Sequence, residues 1–399
     1  MRVLITVSPV PSHLTPLLPL VWALRGAGHQ VLLAAQADVR PAALDAGLPV
    51  VVVGGEQREI AQRKAARAAG RKDAGGVGGS RQEPPWELLA ERWRARVREV
   101  APPLIEVARG WRPDLILADP LEYASLLVGG LLGIPVAHHR WGVDSFSTRS
   151  FGRVAEALAP VCAELGLDGG LPAPDLVLDP CPPTLQDPDA APGLPIRFVP
   201  SNGTATVPAW AGERRAGRRI CFSLGLRTVA LEGPELPARL LKALGALPDV
   251  EVIATVEPEF RPDPAELPAT VRLVDPTPLS LFLDTCDAVV HHGGSGTGLT
   301  ALAAGLPQLV VPQTPWTAEH GERIAATGAG LHLATAEEQH DPAAIAAAVA
   351  RLLDEPAHRA GARRLAAELA AMPSPAQAVD ALVRLADRAR AAVQPGSSR

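Results

Sequence analysis

The sequence predicts two successive doubly wound α/β domains, each a mostly parallel sheet wrapped by helices. Three observations carry this prediction. Short apolar runs alternate with amphipathic segments through both halves, the pattern of βα units. The alternation pauses once, around Pro200-Ser201-Asn202-Gly203-Thr204-Ala205-Thr206-Val207-Pro208 and the charged stretch after it, and then restarts. A chain of 399 residues is also longer than one core ordinarily serves.

In chain order, strands are expected at Val3–Val7, Val31–Ala35, Val50–Val53, Leu115–Ala118 and Pro135–His138. A helix over Leu17–Ala27 stops at Gly28. The first apolar run is too short for a signal peptide, and Pro9 and Pro11 end it. The second half repeats the pattern at Arg219–Leu224, Val250–Val256, Val271–Val274, Ala288–His291 and Gln308–Val311. The expected division is a first domain over 1–205, a linker over 206–217 and a second domain over 218–380. A helix or tail over 381–399 packs back on the first domain. Parallel sheets of this kind bind ligands beyond the carboxyl ends of their strands, so the site is expected in a cleft between the domains. Residues 57–85 are basic and then glycine-rich. They leave the third strand at its carboxyl end, and both a solvated loop and a flap over the cleft mouth fit them.

Composition removes several function classes. Hydrophobic residues at 47% and charged residues at 20% suit a soluble globular protein. No apolar run reaches the roughly 18–20 residues that span a bilayer. A net charge of −5 without a sustained basic face argues against nucleic acid as a partner. Cys162, Cys181, Cys221 and Cys286 are scattered without zinc or redox spacing, which fits a reduced cytoplasm.

The most informative stretch is Asp287–Gly305, DAVVHHGGSGTGLTALAAG. A strand feeds a glycine-rich turn, and the turn opens a helix. Free backbone N–H groups and the positive end of the helix dipole then converge on one spot, suited to a phosphate. Gly294 and Gly296 let a ligand approach the backbone, Ser295 and Thr297 add hydroxyls, and His292 adds a ring nitrogen. Hydrogen bonds to a charged group contribute roughly 1.5–3 kcal/mol each, so three or four hold a diphosphate. A turn serving only close packing would leave the histidines and hydroxyls without a purpose.

The segment His291-His292-Gly293-Gly294-Ser295-Gly296-Thr297 resembles the HHGGxGT diphosphate motif of inverting family 1 glycosyltransferases. In particular it looks like the bacterial branch that attaches deoxysugars to antibiotics. Further motifs follow in the family's order: Ser12-His13-Leu14-Thr15-Pro16 after the first strand, Pro113-Asp114-Leu115-Ile116-Leu117-Ala118-Asp119, Asp179-Pro180-Cys181-Pro182-Pro183-Thr184-Leu185-Gln186, and Ala303-Ala304-Gly305-Leu306-Pro307 running to Gln313. The resemblance implies the GT-B architecture, two Rossmann-like domains facing across a cleft, with the acceptor in the first and the nucleotide-sugar in the second. It implies transfer of a deoxyhexose from a dTDP-sugar to a hydrophobic, polyketide-like aglycone, without a metal or other cofactor, and it leaves a homodimer open. No DxD-type carboxylate pair stands near the glycine turn.

By the same resemblance His13 is the base that deprotonates the acceptor hydroxyl, a task suited to a group with an ordinary pKa near 6.5. Asp119 orients it and stabilises the imidazolium. Ser223 contacts the phosphates. Thr277, in Thr277-Pro278-Leu279, pairs with the nucleobase, although Pro276 stands where the family often has a tryptophan. Gln313, Trp316 and Thr317 align with the donor-sugar site. There a carboxylate is lost and an indole gained, which fits a sugar with fewer hydroxyls; Glu319 restores the carboxylate if the loop is shifted by a turn. Trp141 and Asp144 align with a loop lining the acceptor pocket. Trp86 and Trp93 fit pocket wall or core, and with aromatics at 4% the pocket is expected to be mostly aliphatic. A different reading, a non-catalytic homologue that partners or activates another transferase, is motivated by Trp316-Thr317. The segment 179–186 argues against a nucleotide-sugar epimerase. The absence of GxGxxG in the first βα turn argues against a nicotinamide oxidoreductase.

Overall fold

The computed structural model describes residues 1–70, 84–144, 146–213 and 217–393. Its strands form two sheets, and every pairing is parallel. The first sheet runs β3-β2-β1-β4-β5-β6-β7. Its strands are β1 (Arg2–Val7), β2 (Gln30–Ala35), β3 (Val50–Val52), β4 (Leu115–Ala118), β5 (Val136–His139), β6 (Leu176–Asp179) and β7 (Leu194–Pro195). The second runs β10-β9-β8-β11-β12-β13, from β8 (Arg218–Ser223), β9 (Val250–Thr255), β10 (Val271–Val274), β11 (Ala288–His291), β12 (Gln308–Val310) and β13 (Gly330–His332).

Central parallel strands are covered on both faces, so they read as near-continuous apolar runs rather than alternating. In β4, Leu115, Ile116, Leu117 and Ala118 are all fully buried. In β1, Val3, Ile5 and Val7 join one core, whereas Leu4 joins the other with the helices Trp86–Trp111 and Tyr123–Leu132. The second sheet divides likewise, with Ile220 and Phe222 on one face and Cys221 on the other. The sequence pattern did not mark β6, β7 or β13, which are too short to show a period. The fifth strand begins at Val136, one residue later than expected, since Pro135 lacks the N–H a ladder needs. The four cysteines are buried and free. Among the described residues no helix is long and apolar enough to cross a membrane.

Strand order reverses direction between β1 and β4 in one sheet and between β8 and β11 in the other. These are the switch points at which such sheets open a crevice. An apolar seam joins the two domains, its first-domain residues following β6 and β7. Cys181, Leu185 and Phe198 from the first domain pack with Leu299, Leu302, Ile324, Leu365, Leu369 and Met372 from the second. Arg323 stitches its rim by donating to the carbonyls of Leu185 (3.0 Å) and Thr184 (3.1 Å).

The chain crosses between the domains at two places. Going out, the turn Ala209–Gly212 sets Trp210 edge-on to Phe282, centroids 5.2 Å apart, under Arg272. Coming back, the helix Pro375–Val393 buries Ala378, Val379, Leu382 and Leu385 in the first core. Position 380, the expected end of the second domain, therefore lies inside a helix that belongs to the first. Of the segment 57–85, residues 71–83 lie outside the described residues. Its start is neither loop nor free flap. The helix Glu59–Ala68 leans on the second domain, with Ile60 against that core, Lys64 Nζ 2.6 Å from Glu259, and Lys64 and Arg67 over the ring of Phe260.

Truncating a side chain inside the seam removes burial and leaves a cavity. Leu302→Ala is expected to cost about 2–5 kcal/mol in urea denaturation. Leu44→Ala, at a position 58% exposed, is expected to stay within about 0.5 kcal/mol.

Candidate active site

Register delivers the first pair of groups. Thr6 of β1 pairs with Ala118 of β4, so the residues that follow each strand emerge side by side. Asp119, fully buried, accepts from the Ser8 backbone N–H, the Ser8 hydroxyl at 3.1 Å and the Leu121 N–H at 2.9 Å. His13 sits on the short helix Pro11–Leu14 beyond β1, with Nδ1 3.8 Å from Asp119 Oδ1. That separation permits attraction but is too long for a hydrogen bond. The His13 ring lies against Trp141, centroids 4.0 Å apart and planes 33° apart. Burial, with the charges of Arg227 and Arg96, holds His13 well below its ordinary pKa, so the ring is neutral. Burial raises Asp119 above the usual carboxylate range, against the hydrogen bonds and Arg96 that favour its charge. Beside it Glu122, ion-paired to Arg96, is pushed by burial to about 7.

Several buried polar atoms at this edge have no hydrogen-bond partner among the described residues. They are His13 Nδ1, Glu122 Oε1, His138 Nε2 and Trp141 Nε1. Buried polar groups ordinarily have partners. This edge of the first domain is thus more polar than the composition suggested.

The second group of residues stands across the cleft. Ser223 ends β8 opposite His291 of β11, which brings it beside the glycine turn. His291 faces inward and holds the turn: its Nε2 is 2.9 Å from Gln308 Oε1, and its Nδ1 accepts from the Gly293 N–H at 3.1 Å. Gly293 has φ +93°, and a Cβ there would strike the carbonyl of Thr317, so only glycine fits. Gly294 precedes the helix Ser295–Ala303 and has no side chain to cap it. The first helical bond is from the Gly298 N–H to Gly294 O, at 2.9 Å. The N–H groups of Ser295, Gly296 and Thr297 therefore remain open, as helix starts leave them. Space beside Gly296 is clear of protein atoms. Burial, with His291 and Arg227, brings His292 down to about 3, so it is a neutral donor and acceptor. Thr277 gives its hydroxyl to the Asp275 carbonyl at 2.9 Å.

Of the three residues aligned with a sugar site, two are committed elsewhere. The Gln313 amide is 5% exposed and donates to Gln339 Oε1 (2.7 Å) and the Val311 carbonyl (3.2 Å), turning it into the domain. The Thr317 hydroxyl closes a capping box with Thr314 at the start of the helix Pro315–Ala326. Trp316 is left facing outward, 42% exposed. It meets Phe146 of the first domain edge-on at 4.7 Å, and Phe146 in turn stacks on Trp86 at 6.1 Å. Trp93 lies instead in the core, edge-on to Tyr123. Glu319 reaches the first domain through Arg149 at 3.1 Å, and burial lifts it to about 7. Asp144 does not reach for an acceptor. Its carboxylate pairs with Arg140 Nε at 2.8 Å and accepts from the Ser147 N–H and hydroxyl at 2.8 and 2.6 Å, which starts the helix Ser147–Glu164.

The two sides meet at Trp141-Gly142. Trp141 touches His13, and a Cβ on Gly142 would stand 2.9 Å from the Ser295 Cβ. Sequence reasoning missed Phe146, Arg149 and Arg227. Arg227 Nη2 lies 2.6 Å from Glu59 Oε1 across the cleft. Phe146 carries no motif, and no pattern pairs Arg227 with a residue 168 positions away.

Comparison with known proteins shows the family of the chain. Residues 22–225 match the family model described as erythromycin biosynthesis protein CIII-like, N-terminal domain, and residues 238–385 match the C-terminal domain of the same family. Tylactone mycaminosyltransferase of Streptomyces fradiae is 35% identical over 425 residues, covering 96% of this chain and 92% of that protein. L-demethylnoviosyl transferase of Streptomyces niveus is 34% identical, covering 96% of this chain and 97% of its own length. Among solved structures, spinosyn rhamnosyltransferase complexed with thymidine diphosphate superposes with a TM-score of 0.83 at 37% identity, over 96% of this chain and all of that one. The same protein is also solved with spinosyn aglycone.

The buried histidines set a pH dependence. His138, His139 and His291 are pushed down to about 4 and His292 and His320 to about 3, all by burial first, and His13 is lowered with them. Below about pH 6.5 the unfolded chain therefore binds protons that the fold refuses, and stability falls as pH falls. Asp119, Glu122, Glu257 and Glu319 are raised and oppose this, but they are four against six. The melting temperature is expected to drop between pH 7 and pH 5; a rise over that interval contradicts neutral burial of the rings.

Proposed function

We propose that this chain, which belongs to the erythromycin biosynthesis protein CIII-like family of glycosyltransferases, moves a deoxyhexose from a dTDP-sugar to a hydrophobic, polyketide-like aglycone in antibiotic biosynthesis, in the cytoplasm. The observation that carries the reading is the meeting at Trp141-Gly142. A neutral buried histidine stands on one side of it and the open helix start Ser295–Thr297 on the other.

In the proposed reaction the acceptor oxygen attacks the anomeric carbon of the sugar while His13 takes the hydroxyl proton. The bond from that carbon to the diphosphate oxygen breaks on the opposite face, inverting the centre. Asp119 steadies the imidazolium through its charge. The N–H groups of Ser295, Gly296 and Thr297, the hydroxyls of Ser223, Ser295 and Thr297, and His292 receive the departing diphosphate, with no metal in the step. Trp316 packs where a more hydroxylated sugar would need a polar partner, which supports a deoxysugar. Trp141, with the Phe146 and Trp86 rings, suits an apolar acceptor face. Unpartnered Glu122 Oε1 and His138 Nε2 suit its oxygens. The reading as a non-catalytic partner draws on Gln313 and Thr317 being committed within their own domain.

Calorimetric titration separates the readings. The wild type is expected to bind TDP with micromolar affinity, and His292→Ala to lose it. Absence of TDP binding by the wild type favours the non-catalytic partner. His13→Ala is expected to cut turnover by at least about 100-fold with TDP affinity nearly unchanged; near-normal turnover removes the base assignment.

A further inference from the structure

The groups assigned above to the diphosphate are all neutral: backbone N–H groups, hydroxyls and an uncharged His292. The leaving group carries two or more negative charges, and charge on its bridging oxygen grows as the glycosidic bond breaks. Preorganised neutral donors stabilise such charge, and a cation in a partly desolvated site adds to them strongly.

Arg227 occupies the place where such a cation is needed. It follows β8 through Ser223-Leu224-Gly225, the strand end already assigned to the phosphates. Gly225 lies flat against the His292 ring, where a Cβ would come within 2.9 Å of Cε1. The charge of Arg227 contributes to keeping both His13 and His292 neutral, and its side chain is 43% exposed, open to an incoming ligand. Its guanidinium is held by Glu59 of the bridging helix, Nη2 at 2.6 Å and Nε at 3.1 Å from one oxygen. That same oxygen accepts from Arg63 Nε at 3.0 Å. Glu59 thus keeps a cationic partner in Arg63 when Arg227 leaves.

We propose that Arg227 is the diphosphate's counter-cation, parked on Glu59 until the donor binds and then donating to the phosphate oxygens. The step stays balanced: the electron pair of the broken bond goes to the diphosphate oxygen, the acceptor proton goes to His13, and Arg227 only donates hydrogen bonds. Because Glu59 belongs to the first domain and Arg227 to the second, donor binding also loosens one tie across the cleft, while Lys64 to Glu259 persists.

This inference rests on the donor reading above, and the test distinguishes the two. Wild type, Arg227→Gln, Arg227→Lys and Glu59→Gln are titrated with TDP and with thymidine, after circular dichroism confirms the fold. Arg227→Gln is expected to weaken TDP about 10- to 100-fold and leave thymidine unchanged. Arg227→Lys recovers part of the loss, and Glu59→Gln tightens TDP by removing the competitor. Wild-type TDP binding with an unchanged Arg227→Gln overturns the inference and leaves the donor reading standing. An equal loss for thymidine, or Glu59→Gln weakening TDP, overturns it as well. No TDP binding by the wild type removes both. With a dTDP-sugar that turns over, Arg227→Gln is expected to lower kcat as well as raise KM, because the charge it meets is greatest in the transition state.

Discussion

The apolar seam between the domains is the constraint on which the cleft depends. Cys181, Leu185 and Phe198 on one side and Leu299 and Leu302 on the other bury area that neither domain covers alone. Leu299 and Leu302 belong to the helix that begins at Ser295, so the seam positions the glycine turn as well as the domains. With the helix fixed, Gly142 settles against Ser295 and carries Trp141 onto His13. A residue larger than glycine at 142 would wedge the contact and move His13 and the glycine turn apart together.

Burial then decides charge. The cleft edges contain rings and carboxyls taken far from water, and each responds as desolvation requires: histidines neutral, carboxyls reluctant to ionise. Asp119 keeps its hydrogen bonds from Ser8 and Leu121 rather than from His13. Its position owes more to the meeting of β1 and β4 than to the histidine it faces.

Much of this was legible in the sequence because the informative features are local. A strand, a glycine turn and a helix that are contiguous in the chain announce themselves, and β1 through β5 and β8 through β12 read as buried runs within a residue or so. Short strands such as β7, with two residues, exist only because a neighbour presents an edge to them. Side-chain direction was equally hidden. Gln313 turns inward because Gln339, 26 positions later, offers it a partner, and Asp144 is drawn off by Arg140, the arginine that ends the neighbouring strand's run. The salt bridge of Glu59 with Arg227 joins two domains and follows no periodicity at all.

The two crossings between domains have a mechanical consequence. A single linker would let one domain swivel about any axis. Here the outgoing strand of chain is clamped by Trp210 on Phe282, and the returning one is rooted by the helix Pro375–Val393 in the first core. Two anchored straps act as a pair of pins on one edge. Any opening between the domains therefore has to bend two anchored straps rather than one.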